Sequence, residues 1–474
     1  MDKKITFNSH DCWRLGFHLM PISGWLNDPN GLCHYKGRYH VFFQTTPDNP
    51  NGGIKSWGHY TSNDLLSWEY HGIALTPEEE FETTGVYSGS ALIEDENMHL
   101  FYTGNVKLSG DYDYINNGRV CSVIHVTSID GYTFSQKQCI IPDTAYPTHI
   151  SCHVRDPKAW REAKDNNYYM ILGARTKGSW GEVLLYRSSN LIDWSIANEI
   201  ISNNRLGYMW ECPDFFRLDN TQVLCISPQG VEQDGICYQN IYQSGYFIVD
   251  GEIDSEYALS QFSEWDYGFD FYAPQTFEDK NKRRILIGWM GMPDAPEHQN
   301  PTVEFGWQHA LTVPRELKVK DGIILQQPVK ELERLRGTVN VITPSDTSQA
   351  MECYEINIRN KENNKFCLKI GRDLLLTFDP VQDLFIMQFE NREYGSGRGR
   401  GIRYAEARSC STLRVFVDRS SVEVFINEGQ TVLSTRFYPQ EGRSTFEIEG
   451  KGVKTKFWVL DKLILSDGTH AHLI

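Results

Sequence analysis

Apolar residues along this chain fall in short alternating runs rather than at helical spacing. From Asn27 to about Val313, runs such as Tyr39-His40-Val41-Phe42-Phe43 and Arg284-Ile285-Leu286-Ile287-Gly288 are bounded by Gly, Pro, Asn and Asp, the pattern of strands joined by tight turns. A weak repeat runs through them. Ser62-Asn63-Asp64-Leu65-Leu66-Ser67-Trp68, Ser128-Ile129-Asp130-Gly131-Tyr132-Thr133-Phe134 and Ser188-Ser189-Asn190-Leu191-Ile192-Asp193-Trp194 recur at roughly 60-residue intervals. Strands and turns at that period suggest four-stranded blades around an axis, and about 300 residues of them give about five blades.

The pattern changes at Gln327-Pro328-Val329-Lys330-Glu331-Leu332-Glu333-Arg334-Leu335, where Pro at the start and Val329, Leu332 and Leu335 on one face predict a short helix. Beyond it, Leu413–Val417 and Val422–Ile426 alternate around Asp418-Arg419-Ser420-Ser421, a hairpin signature within a stretch that suits a β-sandwich. The expected organisation is all-β: a five-bladed β-propeller over residues 1–322, a linker with the short helix over 323–338, and a C-terminal β-sandwich over 339–474.

Composition narrows the class. The 474 residues are 40% hydrophobic and 23% charged, which excludes a disordered, collagen-like or coiled-coil chain. Aromatic content of 13% favours strands and sugar-stacking surfaces. A formal charge of −16 repels nucleic acid and anionic membrane, and no apolar run reaches the ~18 residues of a spanning helix. Met1–Asn8 lacks the apolar stretch of a signal peptide, and the eleven cysteines include no closely spaced pair, so a reduced, cytoplasmic protein is expected.

Three acids sit in unusual settings: Asp28 in Trp25-Leu26-Asn27-Asp28-Pro29-Asn30-Gly31, Asp156 in His153-Val154-Arg155-Asp156-Pro157, and Glu211 in Trp210-Glu211-Cys212-Pro213-Asp214. Each lies one or two residues before a proline that would fix it at a strand end or edge. Singly, such segments are equally well read as turns with local hydrogen bonds. Together, in this order, they resemble the motifs of glycoside hydrolase family 32, the invertase, fructanase and sucrose-6-phosphate hydrolase group. The resemblance continues through Tyr87-Ser88-Gly89-Ser90, Tyr102-Thr103-Gly104, Asp266–Gln275, Gly288-Trp289, Leu311–Leu317 and Val417–Phe425.

That resemblance implies a five-bladed propeller followed by a β-sandwich, and a retaining β-fructofuranosidase acting on sucrose, sucrose-6-phosphate or short fructo-oligosaccharides. It makes Asp28 the nucleophile, Glu211 the acid/base and Asp156 the stabiliser of the oxocarbenium-like transition state. Asn27, Gln44, Tyr87, Ser88, Arg155, Tyr272 and Trp289 would bind the sugar. Asn27 and turn amides would keep Asp28 ionised, Arg155 would keep Asp156 charged, and Trp210, Cys212 and the partner charge would raise Glu211. No cofactor or metal is implied. Gly52 stands where many relatives carry Trp, and Tyr87 where Phe is common, so the entrance wall differs. A fructanase or fructosyltransferase, and a non-catalytic sugar-binding propeller, are the alternatives; the latter has no need of an acid/base carboxyl.

Other signals are weaker. Gly395-Ser396-Gly397-Arg398-Gly399-Arg400-Gly401 reads as a loop between sandwich strands rather than an RNA-binding segment, and His149, Cys152 and His153 read as pocket lining rather than metal ligands. Lys55, Arg175 and Lys177 each read first as solvated surface charge, and they are the loop cations available to a phosphate at the entrance.

Overall fold

The computed structural model describes residues 10–344 and 346–466 and the backbone of the strand Ala471–Leu473; Met1–Asn8, on which the expectation about a signal peptide rests, lies outside the described residues. Five antiparallel meanders of four strands each span residues 24–75, 86–141, 150–200, 209–259 and 272–328. Their first strands, Gly24–Tyr35, Val86–Glu94, Ile150–Arg161, Met209–Leu218 and Tyr272–Glu278, pack side by side in a ring around the axis. Trp307–Gln308 runs parallel to the start of the first of these, Gly24 facing Trp307, and ties blade five to blade one.

The repeat seen in the sequence is the turn between the third and fourth strands of blades one to three. Asp64, Asp130 and Asn190 accept backbone N–H groups two and three residues ahead, while Ser62, Ser128 and Ser188 accept the N–H three ahead of each. Leu65, Gly131 and Leu191 complete each turn with positive φ.

Between the outer strand of blade five, Ile323–Pro328, and the first sandwich strand, Arg336–Ile342, lies only the helix Lys330–Leu335. It is a 3-10 helix with Leu332 and Leu335 buried, so the segment expected as a linker lends its ends to both domains. The sandwich stacks a six-stranded sheet on a five-stranded one around Ile356, Leu376, Phe385, Val415 and Val424. Its Asp418/Ser421 hairpin turns on Arg419 and Ser420 as the alternation predicts.

Charges buried between the domains hold them together. His18 sits between Asp418 and Glu423 at 2.7 and 2.8 Å, and Arg315 reaches both Glu423 and Asp266. Arg400, from the Gly-Arg loop, forks onto Asp270 with Nε and Nη2 at 2.6 and 2.7 Å. That loop is therefore a domain anchor. All eleven cysteines are free, and no helix among the described residues is long and apolar enough to cross a membrane.

Candidate active site

Each of the five axial strands breaks register: between Leu26 and Pro29, Val86 and Gly89, Arg155 and Lys158, Glu211 and Asp214, and Tyr272 and Gln275. A bulge kinks the strand and re-aims its side chains. Asp156, Cys212 and Ala273, each just before a proline, hold φ of 63°, 47° and 47°, a left-handed conformation that non-glycine residues adopt at a cost. The bulges aim Asp28, Ser88, Asp156, Glu211 and Tyr272 from five different blades at one mouth of the axis. Deeper in, the buried Lys158–Asp214 pair, with Lys158 also donating to Thr276 O, plugs the axis.

Asp28 is half-buried and accepts from two neutral donors. Asn27 Nδ2 lies 3.1 Å from Oδ1, and the Ser88 hydroxyl donates to Oδ2. A chain of amides fixes those donors: Asn27 donates to Gln44 at 2.6 Å, Gln44 to Ser88 at 2.6 Å, and Trp25 to Asn27 at 2.8 Å. Burial pushes the Asp28 carboxyl above its ordinary value, while Ser88 and Asn27 pull it back. The turn amides expected to help supply no hydrogen bond to this carboxylate among the described residues; Ser88 does that work instead.

Asp156 is buried. Its Oδ2 accepts the Cys212 amide at 2.8 Å, and its own amide donates to Thr103 Oγ1 at 2.9 Å. Burial pushes its carboxyl up to about 7, opposed by the charge of Arg155 and assisted by those of Glu211 and Asp28. The Cys212 thiol lies 3.7 Å from Asp28 Oδ2 and 3.5 Å from Asp156 Oδ2. Burial and these carboxylates hold the thiol well above its usual range, so it stays a neutral S–H between two acids.

Glu211 is held on both oxygens. Arg155 donates to Oε1 from Nε at 3.0 Å and Nη2 at 2.7 Å; Tyr272 and Gln229 donate to Oε2 at 2.6 and 2.8 Å. Two expectations are corrected here. Arg155 pairs with Glu211 and reaches Asp156 only through its field, because the bulge after Arg155 turns the next side chain away from it. Trp210 does not flank the carboxyl: neighbours on a strand point to opposite faces, and its indole is buried between blades three and four, bonded to Leu206 O.

The remaining expected residues line the same mouth. Tyr87 is half-buried within the field of Arg119, Arg155 and Glu211. Trp289 packs edge-on to Tyr272 with ring centroids 6.2 Å apart. Gly52, at φ 87°, faces Trp25 and Lys55, whose Nζ lies 4.7 Å over the Trp25 ring; a Cβ there would meet both in ordinary van der Waals contact. Burial pulls Lys55 down to about 8 although Asp28 supports its charge.

Sequence reasoning missed Gln229, which lies in no motif, and the part played by His153. Its Nε2–H donates to Tyr114 O at 2.7 Å, which leaves Nδ1 as the acceptor for Arg155 Nη1 at 3.2 Å. Burial and the charges of Arg155, Arg119 and Arg175 pull this imidazole down to about 3, so it is neutral and orients the arginine that grips Glu211.

Three convergent carboxylates with different partners, walled by aromatic rings and amides, are the equipment of a glycoside hydrolase. Residues 18–328 match the Glycosyl hydrolases family 32 N-terminal domain and residues 325–462 the Glycosyl hydrolases family 32 C terminal domain. The chain belongs to this family. It is 38% identical over 460 residues to the sucrose-6-phosphate hydrolase of Bacillus subtilis strain 168, covering 93% of this chain and 92% of that one, and 37% identical over 452 residues to the raffinose invertase of Escherichia coli, covering 92% of each. Among solved structures, a GH32 beta-fructofuranosidase of Bombyx mori superposes with a TM-score of 0.83 at 30% identity, covering 97% and 96% of the two chains. The sucrose-6-phosphate hydrolase of Lactobacillus gasseri does so at 0.85 and 28%, covering 96% and 94%. These relatives support the expected propeller-plus-sandwich fold.

Proposed function

We propose that this protein is a retaining β-fructofuranosidase that hydrolyses sucrose and sucrose-6-phosphate through a covalent fructosyl-enzyme. The observation that carries the reading is the unequal treatment of two carboxylates at one mouth. Asp28 meets only neutral donors, whereas Glu211 is gripped by an arginine and a tyrosine. An Oδ of Asp28 attacks the anomeric carbon as the glycosidic C–O bond breaks, and Glu211 gives its proton to the leaving oxygen. Water then attacks the same carbon, Glu211 takes the water's proton, and Asp28 departs.

To carry that proton, Oε2 of Glu211 needs one of its donors to step aside. The Tyr272 hydroxyl can do so, because Ser227 O lies within 3.3 Å as an alternative acceptor. Asp156 holds sugar hydroxyls and its charge opposes the positive charge that develops on the ring. Asn27, Gln44, Ser88, Tyr87 and Trp289 shape the fructose pocket. Free thiols throughout suit a reducing cytoplasm. The domain division proposed is a propeller, a short joint and a sandwich, with the joint expected over 323–338 narrowed to the helix Lys330–Leu335 and its flanks, since Ile323–Pro328 pairs within blade five and Arg336–Ile342 within the sandwich.

Proton NMR of the first product tests this reading. Retention releases β-fructofuranose first from sucrose, and initial release of the α-anomer would replace the covalent route with direct displacement by water. Relative kcat/KM for sucrose, sucrose-6-phosphate, kestose and inulin ranks the substrates.

A further inference from the structure

In a chain of net charge −16, three cations gather on the Glu211 flank of the site with no ion-pair partner among the described residues. Lys107 and Arg119 are direct cross-strand neighbours at the base of the loop 108–118, an arrangement that like charges disfavour. That loop folds over blade three, where Ile115 O and Tyr114 O accept from the Cys152 amide and His153 Nε2. Arg175 comes from blade three, its guanidinium 4.5 Å over the Tyr208 ring and bonded only to Ser179 Oγ. The Nε atoms of Arg119 and Arg175 are both buried without a hydrogen-bond partner. Asp113, in the same loop, forms no ion pair with them; its carboxylate accepts the amides of residues 115–117 instead.

Both arginines are half-buried and Lys107 is exposed, and a buried Nε left without an acceptor beside like charges favours an anion that joins them. We propose that Arg119, Arg175 and Lys107 form an anion subsite for the phosphoryl group of a phosphorylated leaving sugar. The proposal rests on the reading of Glu211 as acid/base, because that residue must face the leaving oxygen and so fixes the side on which the leaving sugar lies. His153, which steadies Arg155 against Glu211, stands amid these cations and joins the two regions. Lys55 lies on the other flank, beside Asp28 and Trp25, and Lys177 is turned onto Thr148 O.

The test compares kcat/KM for sucrose-6-phosphate and sucrose in the wild type and in Arg119→Gln, Arg175→Gln, Lys55→Gln and Lys177→Gln. The wild type should prefer the phosphorylated sugar. The ratio should fall by about tenfold or more in the Arg119 and Arg175 variants and hold in Lys177→Gln. An unchanged ratio in both arginine variants, or a loss confined to Lys55→Gln, would overturn the subsite. Calorimetry with glucose 6-phosphate and glucose separates this from the catalytic reading. If the wild type binds glucose 6-phosphate more tightly and Arg119→Gln does not, the subsite stands even where no sugar is hydrolysed; equal binding of the two sugars by the wild type would remove it even in an active enzyme.

Discussion

The guanidinium of Arg155 closes on one oxygen of Glu211, Nε at 3.0 Å and Nη2 at 2.7 Å, and so ties blade three to blade four at the mouth of the axis. Both groups are largely shielded from water, so the pair is stronger than a surface ion pair. It also leaves Asp156 without a direct bond to the guanidinium, so that Arg155 opposes the effect of burial on that carboxyl only through its field.

Arg155→Met should therefore lower kcat for sucrose by roughly 100-fold through loss of Glu211 positioning, with an unchanged circular dichroism spectrum. A substrate with a leaving group that needs no proton should lose much less. Equal losses on both substrates would place the role of Arg155 in sugar binding.

Burial raises Asp28 and lifts Asp156 to about 7 in the open site, so kcat/KM should climb with pH through a range well above that of ordinary aspartates. Titration of the wild type and Asp156→Asn checks this: the variant should lose the upper part of the acidic limb. An acidic limb near pH 4 in both would contradict the burial argument.

Asp156→Asn keeps the side chain's size and loses its charge. The damage should fall on kcat, because the charge matters most as the ring turns positive. A change confined to KM would make Asp156 a binding residue only.

Burial opposes the charge on His18, but the hydrogen bonds its two N–H groups donate to Asp418 and Glu423, together with the charges of those carboxylates, raise it from 6.5 to about 9. The folded state binds this proton more tightly than the unfolded chain, so the stabilisation is full below pH 6.5 and fades as pH rises through 9. Thermal melts from pH 6 to 9.5 should show a falling Tm in the wild type. His18→Gln should melt lower at pH 6 and have a flatter profile. Parallel profiles would show that the interdomain triad does not titrate in this range.

Much of this was legible in the sequence because it is local. The Ser-x-Asp/Asn turns fix their own amides within three residues, and the alternation around Arg419-Ser420 sets a hairpin by side-chain period alone. The acids were legible only together, through the order and flanking residues of their motifs, since each proline-flanked segment alone fits a turn equally well. What the sequence hid are relations across blades: Arg155 choosing Glu211 over its neighbour Asp156, Trp210 turning to the far face, Gln229 arriving from the second strand of blade four, and His153 orienting an arginine. Those depend on where bulges fall and on which strands become neighbours around the ring, and spacing along the chain does not encode either.

The central claim is that Asp28 forms the bond to fructose and Glu211 handles the protons. In Glu211→Gln, β-fructofuranosyl fluoride can still load the nucleophile, since fluoride leaves without an acid, while removal of the sugar by water lacks its base. Intact-protein mass spectrometry of that variant should show an added fructosyl residue, and peptide mapping should place it on Asp28. A label on Asp156, or no adduct while the fluoride is consumed, would contradict the account.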